Sequence, residues 1–520
     1  MILPKPQRLD RHEHDGAFRL TATTSIRSDA ASAPAADALR RALRPATGFA
    51  LPDADGGQAA ITLSVAPRAL DAEAYELTVT SDHITITGGD PAGVFYGVQS
   101  LRQLLPAEVF SATAVERDWT VPAVSVTDGP QLGWRGMMLD AARHFMPKEF
   151  ILRLIDLLAL HKLNVLHLHL TEDQGWRLAI EKYPRLTEVG AWRRETLIGH
   201  ADRPEDEYTF DGTPHGGFYT QDDVREIVAY AAERFITVIP EIDMPGHMLA
   251  AITAYPELGN GLRPPQVWTV WGISEQVLNV DDLALDFCRD VLTEVMSLFP
   301  SRLIHCGGDE CPKEEWRASP AAQARMRSLG LTDEDALQAW FTGQMATFLS
   351  DNGRRFIGWD EVLEGGGPAN LPKDIVVMSW RGEEPGVEAA RGGLDVVMAP
   401  CEYLYFDRYQ SEDHDREPLA ISGFVPLSKV YDYRPVPAAL ADEPEAARHV
   451  LGAQCQLWTE YVPTPKHAEY MLFPRLCAFA EAVWRNDGNG FDDFADFVTD
   501  RLRPHLERLD ALGVSHRALD

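Results

Sequence analysis

The chain has 520 residues, 45% of them hydrophobic and 24% charged, which are ordinary proportions for a soluble globular enzyme and enough for a large barrel with a smaller partner. A formal net charge of −31 argues against nucleic acid or an anionic membrane as partner, because each phosphate contact calls for a cation. No apolar run approaches the ~18 residues of a spanning helix. The start, Met1-Ile2-Leu3-Pro4-Lys5-Pro6, lacks the apolar core and cleavage site of a signal peptide. A cytoplasmic protein is expected, or a secreted one whose leader has been removed. The six cysteines, Cys288, Cys306, Cys311, Cys401, Cys455 and Cys477, form no CxxC pair, so buried free thiols are expected rather than a zinc ribbon.

Residues 1–127 read as a small α/β domain. Thr78 to Thr87 alternates β-branched residues around a Ser-Asp turn, the pattern of a hairpin. Asp90-Pro91 then opens a helix to Leu105, with Asp90 as N-cap and Val94, Val98, Leu101, Leu104 and Leu105 on one face. In residues 128–520 a strand–loop–helix pattern repeats. Strands end near Asp140, His169, Asp243, Asp309, Trp359, Trp380, Pro400 and Trp458, with helices over 147–161, 221–234 and 333–351. Eight such units predict a (β/α)₈ barrel with chemistry at the C-terminal ends of its strands. The runner-up, a doubly wound open sheet, lacks the glycine fingerprint that often marks it. A C-terminal helix over 491–512, with apolar positions from Phe491 to Leu509 and Gly513 as its stop, is expected to pack on the barrel.

The strand Arg302 to Cys306 runs into Gly307-Gly308-Asp309-Glu310. Two glycines permit a sharp turn that aims both acids into one cavity, where one of two close carboxyls keeps its proton and can act as an acid. The plainer reading is a helix start with Asp309 as N-cap. Arg135 opens the first barrel strand and is either salt-bridged, to Asp140 for example, or reserved for sugar hydroxyls. His167 and His169 share one face of the second strand. With His247 as a third ligand they would make a metal-dependent hydrolase, although the later strand ends supply Trp359, Trp380 and Trp458 and no lysine. Three tryptophans at barrel ends suit the C–H face of a pyranose, and Glu460 lies beside the last. Tyr405 and Asp407 alternate onto one face and can reach a common ligand.

Taken in order from Trp134 to Trp484, these motifs resemble glycoside hydrolase family 20, the β-N-acetylhexosaminidases. They comprise Trp134-Arg135-Gly136, Asp140 with Arg143-His144-Phe145, the His-x-His-Leu run before Asp173-Gln174-Gly175-Trp176-Arg177, and Pro240 to His247. They continue with His305 to Glu310, Gly358 to Glu361, Tyr405 to Asp407 and Trp458-Thr459-Glu460. The resemblance implies an exo-acting, retaining hydrolase of terminal β-linked GlcNAc or GalNAc that needs no cofactor or metal. In it the substrate's own acetamido group is the nucleophile, Glu310 the acid and base, Asp309 the group orienting the acetamido N–H, and Tyr405 a donor to its carbonyl. Arg135, Trp359, Trp380, Asp407, Trp458 and Glu460 would bind the sugar, with Asp243 and His247 supporting the acid. Glu172 stands where many relatives carry aspartate, and no role is assigned to it. The alternatives are the metal-dependent hydrolase and a non-catalytic sugar-binding relative, which would have no need of an acid.

Overall fold

The computed structural model describes the whole chain except residues 13, 15, 55–58, 369–370, 486–492 and 520. The eight expected strands close into one parallel barrel in chain order: β1 (Trp134–Asp140), β2 (Val165–His169), β3 (Thr237–Glu241), β4 (Leu303–His305), β5 (Arg355–Trp359), β6 (Val376–Ser379), β7 (Asp395–Met398) and β8 (Val450–Leu457). Every residue of β1 and β2 is buried, as strands enclosed by covering helices must be. β3 and β4 stop two and four residues short of the acids Asp243 and Asp309, so both acids ride on loops at the barrel mouth.

Ahead of the barrel lies a six-stranded sheet covered by helices Ala33–Thr47 and Pro91–Leu104. Its strands Tyr75–Val79 and Ile84–Gly88 form the expected antiparallel hairpin. Asp90 caps the second helix by accepting from Gly93 N at 2.8 Å, and Pro91 sits where no intrahelical N–H is needed. At the other end of the chain, Phe491 lies outside the described residues. From Phe494 to Ala511 the backbone is helical, with a wider-wound stretch at Phe497–Leu502. This segment bridges barrel and sheet: His505 meets His161 at 3.0 Å, and Arg508 donates to the carbonyls of Met1 and Gln103, each at 2.8 Å. All six cysteines are free. Among the described residues no helix is long and apolar enough to cross a membrane.

Arg135 requires a correction. It opens β1, at the N-terminal end of the barrel, and its guanidinium joins the small sheet rather than a ligand. It pairs with Glu73 at 2.8 Å and donates to Tyr96 Oη at 3.0 Å and to the Lys162 carbonyl at 2.9 Å. The pairing partner is thus Glu73, not Asp140. Beside it Lys162 pairs with Asp128 at 2.8 Å, both side chains fully buried. Asp128 also accepts from Tyr75 at 2.7 Å and Trp484 at 2.9 Å. Burial pulls the Lys162 ammonium below its ordinary range, against the pull of Asp128.

Breaking a buried pair by removing one partner strands the other charge. Asp128→Ala is therefore expected to destabilise the protein by about 3–5 kcal/mol in urea unfolding. A loss below about 1 kcal/mol would mean that the pair is not what ties the sheet to the barrel.

Candidate active site

The turn after β4 is built by close approach. Gly307 and Gly308 have φ of +61° and +96°, which side-chain-bearing residues rarely adopt. A Cβ on Gly307 would lie 1.7 Å from Asp243 Oδ1, and that same oxygen accepts from Gly308 N at 3.0 Å. Gln338 Nε2 donates to the Gly308 carbonyl at 2.7 Å and holds the outer side of the turn. Glu310 itself has φ of +45°. No helix starts at Asp309; the next one begins at Glu314. The turn leaves Asp309 nearly buried and the Glu310 side chain 37% exposed.

His247 stands between the two acids and a second layer of charge. Its Nε2 lies 3.8 Å from Asp309 and 3.7 Å from Glu310, and its Nδ1 lies 3.1 Å from Glu172. Burial pulls its imidazole down, but Glu172, Asp173 and Asp309 outweigh that and hold it well above the ordinary histidine value. Glu172 in turn pairs with Arg143 Nη2 at 2.5 Å. Burial pushes the Glu172 carboxyl up, and Arg143 and His247 overcome this to hold it well below the usual range. Burial first, then the Asp309 carboxylate, raises Glu310. Asp243 is likewise pushed up by burial and by Asp309. Of the adjacent acids, Glu310 is thus the one whose surroundings favour the protonated form.

Four aromatic rings flank these acids. Trp380 and Tyr405 stack with centroids 6.1 Å apart and planes at 18°. Trp458 lies 6.3 Å from Tyr405 and 5.8 Å from Trp359, closing a box. Carboxylates fix the indoles: Glu241 accepts from Trp359 Nε1 at 2.9 Å and Glu361 from Trp380 Nε1 at 3.0 Å. Glu241 also lies 3.0 Å from His167 Nε2, 2.5 Å from His169 Nδ1 and 2.9 Å from His305 Nδ1, which itself accepts from Gly307 N at 3.1 Å. The His167/His169 pair is thus gathered around one carboxylate, which burial pushes up and the three imidazoles hold well below its usual value.

At the far wall Arg143 lies with Cζ 4.8 Å from the Trp458 ring; its buried Nε and Nη1 lack a hydrogen-bond partner, Nη1 standing 3.5 Å from Asp140. Neither carboxylate oxygen of Asp407 has one. Burial, then Glu460, pushes the Asp407 carboxyl up to about 8. Burial also raises Glu460 despite the pull of Arg143. Polar groups this buried call for hydrogen-bonding partners, and a polyol supplies donors and acceptors together.

Asp243, His247, Asp309, Glu310, Trp359, Trp380, Tyr405, Asp407, Trp458 and Glu460 therefore share the barrel mouth, and Arg135 does not. The reading of the sequence missed three contributors. Arg143 follows β1 at its C-terminal end, where a barrel collects chemistry, and that position was the available signal. Glu172 and Glu241 gave no local sign, because their meaning lies in partners 29 to 118 positions away.

Residues 132–487 match the glycosyl hydrolase family 20 catalytic domain, and residues 1–129 match domain 2 of that family. A β-hexosaminidase of Porphyromonas gingivalis is 44% identical over 522 residues, covering 99% of this chain and 64% of that protein. One of Vibrio furnissii is 38% identical, over 94% of this chain and 76% of its own length. The chain thus spans just under two thirds of the first relative. Among solved structures, a GH20 exo-β-N-acetylglucosaminidase from Vibrio harveyi in complex with N-acetylglucosamine superposes with a TM-score of 0.85 at 35% identity, covering 99% of this chain and 78% of its own. The GH20 β-N-acetylhexosaminidase of Streptomyces coelicolor gives 0.84 at 32%, covering 100% and 97%.

Gly307→Ala adds a Cβ against Asp243 and an unfavourable φ. It is expected to cost about 1–3 kcal/mol in thermal unfolding. An unchanged midpoint would show that the turn tolerates a side chain and that its geometry is not enforced by Asp243.

Proposed function

We propose that this chain, which belongs to glycosyl hydrolase family 20, is an exo-acting, retaining β-N-acetylhexosaminidase that uses the substrate's acetamido group as nucleophile. The observation that carries the reading is the adjacent Asp309–Glu310 pair beside an aromatic box that includes Tyr405. The partnerless Arg143 and Asp407 atoms, backed by Glu460, close the far wall, which suits a single terminal sugar and an exo mode of attack.

In this scheme the acetamido carbonyl oxygen attacks the anomeric carbon from below. Glu310 gives its proton to the glycosidic oxygen as that bond breaks. Asp309 accepts from the acetamido N–H and stabilises the positive charge that develops there. Tyr405, kept protonated by burial, donates to the acetamido carbonyl oxygen and fixes the group for attack. Water then adds to the same face that the leaving group vacated, passing a proton to Glu310 and reopening the oxazolinium ring that the acetamido attack had closed, so configuration is retained. Trp359, Trp380 and Trp458 enclose the acetyl group and pyranose. Arg143, rather than Arg135, joins Asp407 and Glu460 in holding the outer hydroxyls. Asp243 supports the turn, and His247 links the acids to Glu172.

The test is nitrophenol release from the β-GlcNAc glycoside, with the β-glucoside and EDTA as controls. Cleavage of the acetamido sugar alone, unchanged by EDTA, is the expected outcome. Cleavage of both sugars at equal rate would overturn acetamido participation, and loss with EDTA would favour a metal site on the histidines.

The pH profile adds a signed expectation. Activity requires Glu310 protonated, so kcat/KM falls as pH rises through its raised pKa. Asp309→Asn removes the neighbouring charge that helps raise it. The residual activity should therefore be lower by about 10²–10³-fold, with its basic limb moved to lower pH. A limb that stays in place would mean that Glu310 is not the group titrating.

The two arginines separate in the same assay. Arg143→Ala is expected to lower kcat/KM by at least about tenfold, the factor equivalent to ~1.4 kcal/mol, through contacts to the sugar. Arg135→Lys should instead lower the unfolding midpoint and leave the kinetics of the folded enzyme near wild type. The reverse pattern would restore Arg135 as the ligand.

A further inference from the structure

Beyond the sugar box, two cavities share one wall. The first, of about 380 Å³, lies beside the acid and is lined by Glu310, Cys311, Glu361, Trp380, Arg381 and Ile273 among others. The second, of about 590 Å³, is lined by Tyr208, Leu249, Gln266, Trp268, Trp271 and, again, Ile273. Ile273 is 44% exposed and stands at the junction. Each cavity has the size of a small-ligand site.

The segment that builds this wall is tied down. Trp268 N donates to the Asp173 carbonyl at 3.0 Å, and Ser274 N to the Asp173 carboxylate at 3.2 Å. Gln174 Nε2 donates to the Val270 carbonyl at 3.0 Å, and Leu197 N to that of Thr269 at 2.9 Å. Asp173 also approaches His247 Nδ1 at 3.6 Å, so the wall and the catalytic acids are referenced to one residue. Trp271 continues the contact inward, 6.3 Å from Tyr461, the neighbour of Glu460.

The charges along this path select the occupant. Glu310, Glu361 and Glu364 line the first cavity and Glu205 and Glu275 the second. The lining cations are already engaged. Arg381 is held by Asp360 and by Glu364 at 2.6 Å, Lys313 by Gln338 and the Cys311 carbonyl at 2.6 Å each, and Arg263 by Glu275 at 2.5 Å. Glu364 and Glu275 are neutralised by these arginines, so an anionic leaving group would meet no unengaged cation among the lining residues. A neutral sugar offers hydroxyls to the carboxylates and a C–H face to Trp268 and Ile273.

We propose that the two cavities form one leaving-group groove, and that the favoured substrate carries at least two neutral sugars beyond the scissile bond, the second resting on Trp268. This rests on Glu310 being the acid, since that places the leaving group in the first cavity. The preference is then set by Ile273 and Trp268, which lie outside the box that holds the terminal sugar.

The experiment compares kcat/KM for the nitrophenyl β-GlcNAc glycoside and for the β-1,4-linked GlcNAc dimer, trimer and tetramer. The expected result is a rise of about tenfold, equivalent to ~1.4 kcal/mol of added transition-state binding, from dimer to trimer and a plateau at the tetramer. Trp268→Ala should erase that rise and leave the nitrophenyl glycoside unchanged, while Trp268→Tyr keeps most of it. Equal kcat/KM for dimer and trimer in the wild-type enzyme would overturn the groove, as would a Trp268→Ala loss that is the same for every substrate. Failure to cleave the nitrophenyl glycoside at all would overturn the glycosidase reading beneath it, and the two failures are told apart by that single substrate.

Discussion

An excess of buried negative charge governs this site. Asp140, Glu172, Asp243, Asp309, Glu361 and Asp407 are buried at one end of the barrel, with Glu310 and Glu460 at the opening. Isolated carboxylates in such a place would be prohibitively costly. Arg143 and His247 make them tolerable, because Arg143 reaches Glu172 and Asp140 while His247 reaches Glu172, Asp309 and Glu310. Burial first, and the remaining repulsion second, favour the protonated forms. Glu310, Asp407, Glu361 and Asp243 are all pushed upward, whereas Glu172, nearest both cations, is held low. Burial and crowding together thus favour a proton on Glu310, while the cations keep the crowding in check.

Shape is enforced by a second set of contacts that carry little of this charge competition. Glu241 accepts from the Trp359 indole and the His169 imidazole and lies within 3.0 Å of His167 and His305, and so fixes one wall of the box from behind. Such a network favours one arrangement, and losing a member leaves the others buried with fewer partners. Asp243 does comparable work on the turn, where it fills the space a Cβ would need at Gly307. Trp359 and the turn at Gly307 thus both rest on buried carboxylates from the end of β3, which holds them near one geometry.

The opposite end of the barrel shows the same chemistry put to structural use. Arg135 with Glu73 and Lys162 with Asp128 are buried ion pairs too, yet their hydrogen bonds are met within the protein. At the mouth, by contrast, Arg143 and Asp407 keep atoms unpaired. Satisfied and unsatisfied burial distinguish a joint between domains from a place for a ligand better than residue type does.

Much of this was legible in the chain itself. Alternation, capping residues and strand–helix repeats expose the hairpin at Thr78, the helix after Asp90 and all eight barrel strands, because these patterns reflect local backbone preference and one-sided burial. The glycines before Asp309 announce a turn for the same reason. Arg135 was misjudged although strand direction was known: it opens a seven-residue strand, roughly 20 Å from the end where barrels gather chemistry. Arg143 carried a signal in its place just past a strand end, but the roles of Glu172 and Glu241 could come only from the folded molecule. A charge acquires its function from its partners, and barrel closure brings those partners together from distant strands.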